Sequence, residues 1–239
     1  MLHTEGIVLR TTKYGESSLI LDVLTKEKGL LSFIIGGVRN KKSNIKGLIQ
    51  LMSIIDFVSY YSDRKILHRI KEVKMNYVYL EVPYDAVKRS IGVFILEVIR
   101  NAIKETEYHP EMYDFIRDTY TGLDQSRTSL ASFHLLFMMQ FTHHLGCMPT
   151  LPYSDSMVYF DLINGVFSST NDDHDYYLDM PKSSAFHKLL QVIQDPTSEL
   201  TLNKEERSNL LQNLIEYFQI HLEHFKPPHS HHIFKEIFS

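Results

Sequence analysis

The fold is decided by residues 19–37, which read LILDVLTKEKGLLSFIIGG. Apolar residues half-alternate over 19–24, a charged turn follows at 26–29, and a second apolar run over 30–35 stops at Gly36-Gly37. Apolar runs of this length, bounded by turn residues, are typical of β-strands. The stretch therefore predicts two successive strands.

Three further segments on either side of this stretch have the same character. A short run over 6–9 opens the chain, residues 54–61 are β-branched and aromatic, and residues 66–73 alternate again. Together they predict about five short strands, the number that a small OB-type barrel needs. A long polar loop over 38–46 interrupts them.

The period of the apolar residues changes after Pro83. Spacings of three to four residues predict an amphipathic helix over 85–106. Pro110 opens a second helix to about residue 123, and a third over 126–145 ends at Gly146. Later helices are predicted over 184–194 and 203–225, where Asn203 and Glu206 form a capping-box-like start, and a last short helix is predicted over 231–238.

Residues 147–180 break the helical pattern. Asn164-Gly165 lies between two short runs of apolar and aromatic residues, which indicates a β-hairpin at about 156–170 whose turn needs positive φ. The predicted fold is thus α+β, an N-terminal five-stranded OB-type β-barrel over 1–81 followed by an all-helical domain over 82–239 with an inserted hairpin.

Composition limits the class of protein. Residues 1–80 hold 13 Lys and Arg against 7 Asp and Glu, whereas residues 81–239 hold 12 against 22. This asymmetry favours a basic surface that meets a polyanion, although small basic domains are common. Cys147 is the only cysteine, which excludes an internal disulfide and a cysteine-based zinc cage. The start does not read as a secretory signal, and no run of about 18 apolar residues predicts a membrane span. A cytoplasmic location is expected.

Four ordered segments carry a family resemblance. They are T-E-G-I-V-L-R at 4–10, K-Y-G-E-S-S-L-I-L at 13–21, L-T-K-E-K-G-L-L-S-F at 24–33 and G-G-V-R-N-K-K-S at 36–43. In this order and spacing they resemble the start of RecO recombination mediators, and a weaker resemblance continues through the helices. It implies an OB-fold, a helical C-terminal domain and a role in recombinational repair. Such proteins bind single-stranded DNA, anneal complementary strands, and work with RecR and the single-stranded-DNA-binding protein so that RecA can load.

The chain departs from that family at one place. Many members carry a four-cysteine zinc finger between the third large helix and the later ones, but here that stretch, residues 147–179, has a single cysteine. A structural zinc site needs four nitrogen or sulfur donors, so neither zinc nor any other cofactor is expected. The hairpin is expected to survive without metal, held by Tyr159, Phe160, Val166 and Phe167.

Two groups of cations are the candidate DNA-binding residues. The first lies in the polar loop beside Gly36-Gly37, where Lys and Arg can reach phosphates, and the second follows the predicted fourth strand. Tyr14, Phe33 and Tyr60 are candidate stacking residues, although aromatic residues at strand spacing more often belong to a core. The cations of the two groups are Arg39, Lys41, Lys42 and Lys46, and Arg64, Lys65, Arg69 and Lys71, with Lys74 beyond them.

The helical domain is where the family docks the C-terminal tail of the single-stranded-DNA-binding protein. A receiving site needs a cation for the terminal carboxylate, and Arg100, Lys104 and Arg117 are the candidates. The alternative is that these residues only solubilise exposed helix faces.

Two other functions stay open. One is a general RNA-binding OB-fold protein, and the other is a metal-dependent hydrolase built on the His and Asp clusters at 143–144, 172–175, 221–224 and 229–232. No phosphate-loop, serine-hydrolase or dinucleotide motif is present in the sequence, and no H-E-x-x-H. The chain is therefore not expected to be an enzyme.

Overall fold

The computed structural model describes residues 1–38, 45–103, 110–150, 156–171, 174–195 and 197–230. The chain divides into two compact units. The first unit joins residues 1–92 to residues 103–126, and the second joins residues 93–102 to the chain from residue 127 onward.

The first unit contains a closed five-stranded barrel, so the predicted OB-type barrel is confirmed. Around the barrel the strand order is β1-β2-β3-β5-β4. Strands β3 and β5 pair in parallel, and the other neighbours are antiparallel. The bounds are β1 Leu2–Tyr14, β2 Ser18–Thr25, β3 Gly29–Ile35, β4 Ile54–Tyr60 and β5 Leu67–Met75.

The turn between β2 and β3 shows why residues 19–37 fold as they do. Gly29 has a φ of 68°, a left-handed conformation that favours glycine. The Thr25 hydroxyl donates to the Gly29 carbonyl at 2.8 Å and accepts from the Lys28 N–H at 3.1 Å. The strands that leave this turn send alternate residues inward, where Leu21, Val23 and Phe33 join the barrel core.

The segment between β3 and β4 differs from the predicted polar loop. Residues 39–44, which include Arg39, Lys41 and Lys42, lie outside the described residues. A short helix α1 (Ile45–Leu48) follows, so Lys46 is helical rather than part of a loop. Its neighbour Ile49 is buried, because this segment closes the barrel core.

Helices α2 (Ala86–Ala102) and α3 (Pro110–Gln125) follow the barrel close to the predicted bounds. Helix α3 belongs to the same compact unit as the barrel, because Tyr113 and Arg117 donate hydrogen bonds to Glu5 of β1. A domain boundary near residue 81 remains a prediction, and the compact units divide the chain differently.

The second unit is mainly helical and holds a small sheet of order β7-β6-β8. The predicted hairpin is confirmed as β6 and β7, and Gly165 in its turn has a φ of 67°. Strand β8 has two residues, too few to show a period in the sequence. The elements are α4 Phe133–His144, β6 Tyr159–Asp161, β7 Val166–Ser168, β8 Tyr177–Leu178, α5 Lys182–Gln194 and α6 Lys204–His221.

The ends of the helices test the predicted bounds. Gly146 has a φ of 73° just after α4, and the Asn203 capping box with Glu206 is present at the start of α6. Helix α4 begins seven residues later than predicted, because the Ser and Thr residues of 126–132 favour turns over helix. Helix α6 ends at His221, four residues before the predicted end, since Pro227 sets only an outer limit. The predicted helix over 231–238 lies outside the described residues.

None of the described helices is long and apolar enough to cross a membrane.

Candidate nucleic-acid interface

The register of the barrel sorts its residues into an inner and an outer row. Leu21, Phe33 and His68 are neighbours across β2, β3 and β5, and all three are buried. A second row lies one position away on each strand. In this row Ile20 pairs with Ile34, and Ile34 pairs with Arg69. Directly paired residues of a sheet point to the same face, so this second row lies outside the barrel.

The outer row ends in an aromatic residue beside a cation. Tyr60 is the last residue of β4 and pairs with Arg69 of β5. The side chain of Tyr60 is 53% exposed, and Arg69 is exposed. At its other end the row reaches Thr12 of β1, which pairs with Ile20. We call this set, Thr12, Ile20, Ile34, Arg69 and Tyr60, the outer row.

The three candidate stacking residues differ in solvent exposure. Tyr14 and Tyr60 are 52% and 53% exposed, whereas Phe33 is fully buried. The Phe33 ring packs edge-on against Phe57 with centroids 4.8 Å apart. Phe33 is therefore a core residue, the role that the sequence favours for aromatic residues at strand spacing, and it is not a stacking candidate.

The predicted cations after β4 have different surroundings. Arg64 and Lys65 are exposed in the turn between β4 and β5. Lys71 lies at a β-bulge, because Val58 pairs with Glu72 and Ser59 with Ile70.

Two of the cations on β5 form ion pairs with neighbouring carboxylates, and one forms none within the described part of the chain. The Lys71 ammonium lies 2.8 Å from the Glu72 carboxylate, and that of Lys74 lies 3.4 Å from Asp56. Hydrogen bonding to Glu72 raises the pKa of Lys71. Arg69 forms no ion pair with any residue that the structure describes, so its charge is available to an outside anion.

A cavity of about 1360 Å³ includes two members of the outer row, Tyr60 and Arg69, in its lining. Tyr60, Arg69 and Lys71 line it on one side, and Ser18 and Gly37 line it as well. Four carboxylates also contribute to its wall, and two of them pair with Lys71 and Lys74, so Arg69 is the cation of β5 best placed to meet a phosphate. These carboxylates are Glu5, Glu27, Asp56 and Glu72.

The three candidate cations for a partner's carboxylate differ in their ion pairs and exposure. Arg117 is 34% exposed, its Nε donates to Glu5 at 2.7 Å, and its Nη1 lies 3.5 Å from Asp118. It therefore serves to join α3 to the barrel. Arg100 is an exposed residue of α2, and Lys104 lies outside the described residues.

A buried carboxylate that the sequence did not single out organises the segment after the barrel. Asp124 of α3 accepts hydrogen bonds from the backbone N–H groups of Leu80, Glu81 and Val82, at 2.8 to 2.9 Å. Burial alone would raise its pKa, but these hydrogen bonds, with one from Tyr77, outweigh burial and lower it. The buried Lys88 ammonium adds a bond to the Asp124 carbonyl at 2.7 Å. An acid one residue from the end of a helix gives no sequence signal for this role.

The hairpin of the second unit is packed through aromatic rings. Phe160 is fully buried, stacks on Phe186 at 4.3 Å and meets Phe167 at 5.0 Å. The buried Asp161 carboxylate accepts from the N–H groups of Ile163 and Asn164 and lies 3.3 Å from the His174 ring. These contacts provide a core for the hairpin, as the sequence predicted for Phe160 and Phe167.

The histidine and aspartate clusters do not converge within the described residues, where no group of three or more His, Cys, Asp or Glu could hold a metal ion. Asp172, Asp173, His231 and His232 lie outside those residues. Burial raises the pKa of the Cys147 thiol to about 11, which makes the thiolate form scarce at neutral pH. Absence of zinc remains a prediction.

Comparison with known proteins agrees with the resemblance seen in the first 43 residues. One family model, described as recombination protein O N terminal, matches residues 1–79, and another, recombination protein O C terminal, matches residues 83–231. The chain belongs to the RecO family. The predicted family is thereby confirmed over nearly the whole chain.

Individual relatives in the RecO family cover the same span. A protein of Phocaeicola vulgatus named DNA repair protein RecO is 32% identical over 237 residues, 99% of this chain and 98% of its own. A protein of Flavobacterium psychrophilum with the same name is 31% identical over 245 residues, 100% of this chain and 99% of its own. The barrel and the helices therefore belong to one family architecture.

Proposed function

We propose that this RecO-family chain is a recombination mediator in DNA repair that binds single-stranded DNA on its barrel and anneals complementary strands. One observation carries the proposal. Arg69, which has no ion pair among the described residues, lies directly beside the exposed Tyr60 on the outer surface of an OB-type barrel. Barrels of this type bind single strands with cations for the phosphates and aromatic rings for the bases.

The charge distribution supports a polyanionic ligand for the barrel. Eight of the first unit's candidate cations lie within residues 39–71, and those that the structure describes, Lys46, Arg64, Lys65, Arg69 and Lys71, are exposed. Each phosphate contact releases counterions, so these residues would contribute affinity without reading sequence. Arg39, Lys41 and Lys42 are proposed to extend the same surface.

The helical part is proposed to meet protein partners. In the family these are RecR and the C-terminal tail of the single-stranded-DNA-binding protein, with RecA loading as the outcome. Arg100 is exposed and forms no ion pair with any carboxylate that the structure describes, so we assign it, with Lys104, to the tail's terminal carboxylate. We propose no catalytic activity, and a cytoplasmic location.

Annealing of complementary DNA strands tests this function. The protein should accelerate annealing of labelled strands, and should do so also when both strands are coated with the single-stranded-DNA-binding protein. No acceleration in either condition would contradict the mediator role. Stronger binding to RNA than to DNA of the same sequence would favour a general RNA-binding protein, because the 2′-hydroxyl distinguishes the two ligands.

A further inference from the structure

We propose that Tyr60 is a base-stacking residue of the DNA surface, and that Arg69 holds a phosphate beside the stacked base. This role deepens the proposed function and rests on it. The contribution of Tyr60 to DNA binding should not depend on salt concentration, whereas the contribution of the cations around it should.

The position of Tyr60 suits a nucleotide. Tyr60 and Arg69 are directly paired across β4 and β5, so their Cβ atoms lie about 5 Å apart on one face. A cation that forms no ion pair with any described residue therefore lies beside one exposed aromatic ring.

Comparison with the next residue shows that Tyr60 lacks a structural task. The Tyr61 hydroxyl donates to Asp63 at 2.6 Å, and its ring lies 4.7 Å from the ring of His68. The Lys28 ammonium lies 5.3 Å from the Tyr61 ring centroid. Within the described part of the chain, the Tyr60 side chain makes no hydrogen bond and no ring contact. Its ring is thus free to pack on a ligand.

The surface that continues from Tyr60 is shaped for a strand of bases. Ile34 and Ile20 are half-buried and follow Arg69 along the outer row, and Thr12 closes it. Along the curved wall of the barrel, four strand spacings lie between Thr12 and Tyr60, a path of roughly 19 Å. Half-buried aliphatic side chains between a ring and a polar edge form a low-polarity floor, and single OB-folds occupy about 4 to 16 nucleotides. We infer that the DNA strand crosses β4 and β5 where Tyr60 and Arg69 are paired, and continues toward Ile34 of β3.

The absence of tryptophan from the sequence allows a direct test. Tyr60→Trp places a single indole on the outer row, and titration with a short oligo(dT) should quench its fluorescence to saturation. Tyr84→Trp is the matched control, because Tyr84 is 83% exposed but lies in the segment before α2 rather than on a barrel strand. Its fluorescence should stay unchanged at the same oligo(dT) concentrations.

Affinity measurements complete the test. Tyr60→Ala should weaken oligo(dT) binding about tenfold with an unchanged salt dependence, while Tyr60→Phe keeps the wild-type affinity. Unquenched Tyr60→Trp, together with wild-type affinity of Tyr60→Ala, would overturn the stacking role. If wild type still binds and Arg69→Ala still alters its salt dependence, the proposed function survives that result. Failure of the wild-type protein to bind oligo(dT) at all would overturn both.

Discussion

Arg69 and Arg117 belong to the same compact unit and look alike in the sequence, yet their surroundings are opposite. Arg117 is paired with Glu5 at 2.7 Å and secures α3 on the barrel. Arg69 is exposed, pairs in the sheet with Tyr60, and has no carboxylate partner among the described residues. The partly buried pair of Arg117 contributes to folding, whereas the exposed charge of Arg69 is available for binding.

The same distinction extends to other polar groups. Asp124 and His134 point inward, and Lys46, Arg64 and Lys65 point outward. If the distinction is sound, changes to the inward groups should alter stability and leave DNA binding intact. Changes to the outward groups should do the reverse.

The largest expected effect is that of Asp124→Ala. Removal of this carboxylate leaves the backbone N–H groups of Leu80, Glu81 and Val82 without an acceptor, so the free energy of unfolding should fall by about 3 kcal/mol. Urea unfolding of the full chain measures the change. Asp118→Ala is the control on the same helix, since the Asp118 side chain is 74% exposed, and its effect should stay within about 0.5 kcal/mol. Equal losses in the two variants would contradict the role of Asp124.

Acid stability should depend on His134. Burial, with a smaller effect of the Arg207 charge, lowers the pKa of His134 to about 3, so the folded protein keeps this ring neutral. The unfolded chain takes up the proton below about pH 6.5, and stability present above that pH is then lost by up to about 1.4 kcal/mol per pH unit.

The measurement is the slope of unfolding free energy against pH between 6 and 4. His134→Leu should reduce this slope by nearly the amount that the uptake of one proton gives, about 1.4 kcal/mol per pH unit. His187→Leu, which removes a less buried histidine whose pKa is also lowered by burial, should flatten it less. A wild-type slope in His134→Leu would show that this ring is protonated in the folded protein as well.

A smaller loss of stability is expected from Arg117→Ala. The variant removes a charge-assisted hydrogen bond to the half-buried Glu5, so unfolding free energy should fall by about 1 to 2 kcal/mol. Unchanged stability of Arg117→Ala would contradict the contrast between Arg117 and Arg69.

Arg100→Glu tests the proposed site for a partner's carboxylate. This variant should weaken binding of a C-terminal tail peptide while leaving the stability of the protein and its DNA binding unchanged.

The barrel could be predicted because its signals are local. The apolar runs and turn residues of 19–37 fix two strands and their turn with contacts a few residues apart, and the capping box of Asn203 and Glu206 is equally local. The pairing of Arg117 with Glu5 joins positions 112 residues apart, and nothing in either segment indicates the other. For the same reason the sequence could not separate buried Phe33 from exposed Tyr60, or show that Asp124 receives three backbone N–H groups.

The most direct test of the central claim is the salt dependence of oligo(dT) binding for wild type, Arg69→Ala and Arg117→Ala. On a plot of log affinity against log salt concentration, Arg69→Ala should reduce the slope by about 0.7, the value for one lost phosphate contact on a single strand. Arg117→Ala should keep the wild-type slope at a temperature where it remains folded. Identical slopes for all three proteins would contradict the claim that the outer row of the barrel binds DNA, and would leave Arg69 an ordinary solvated charge.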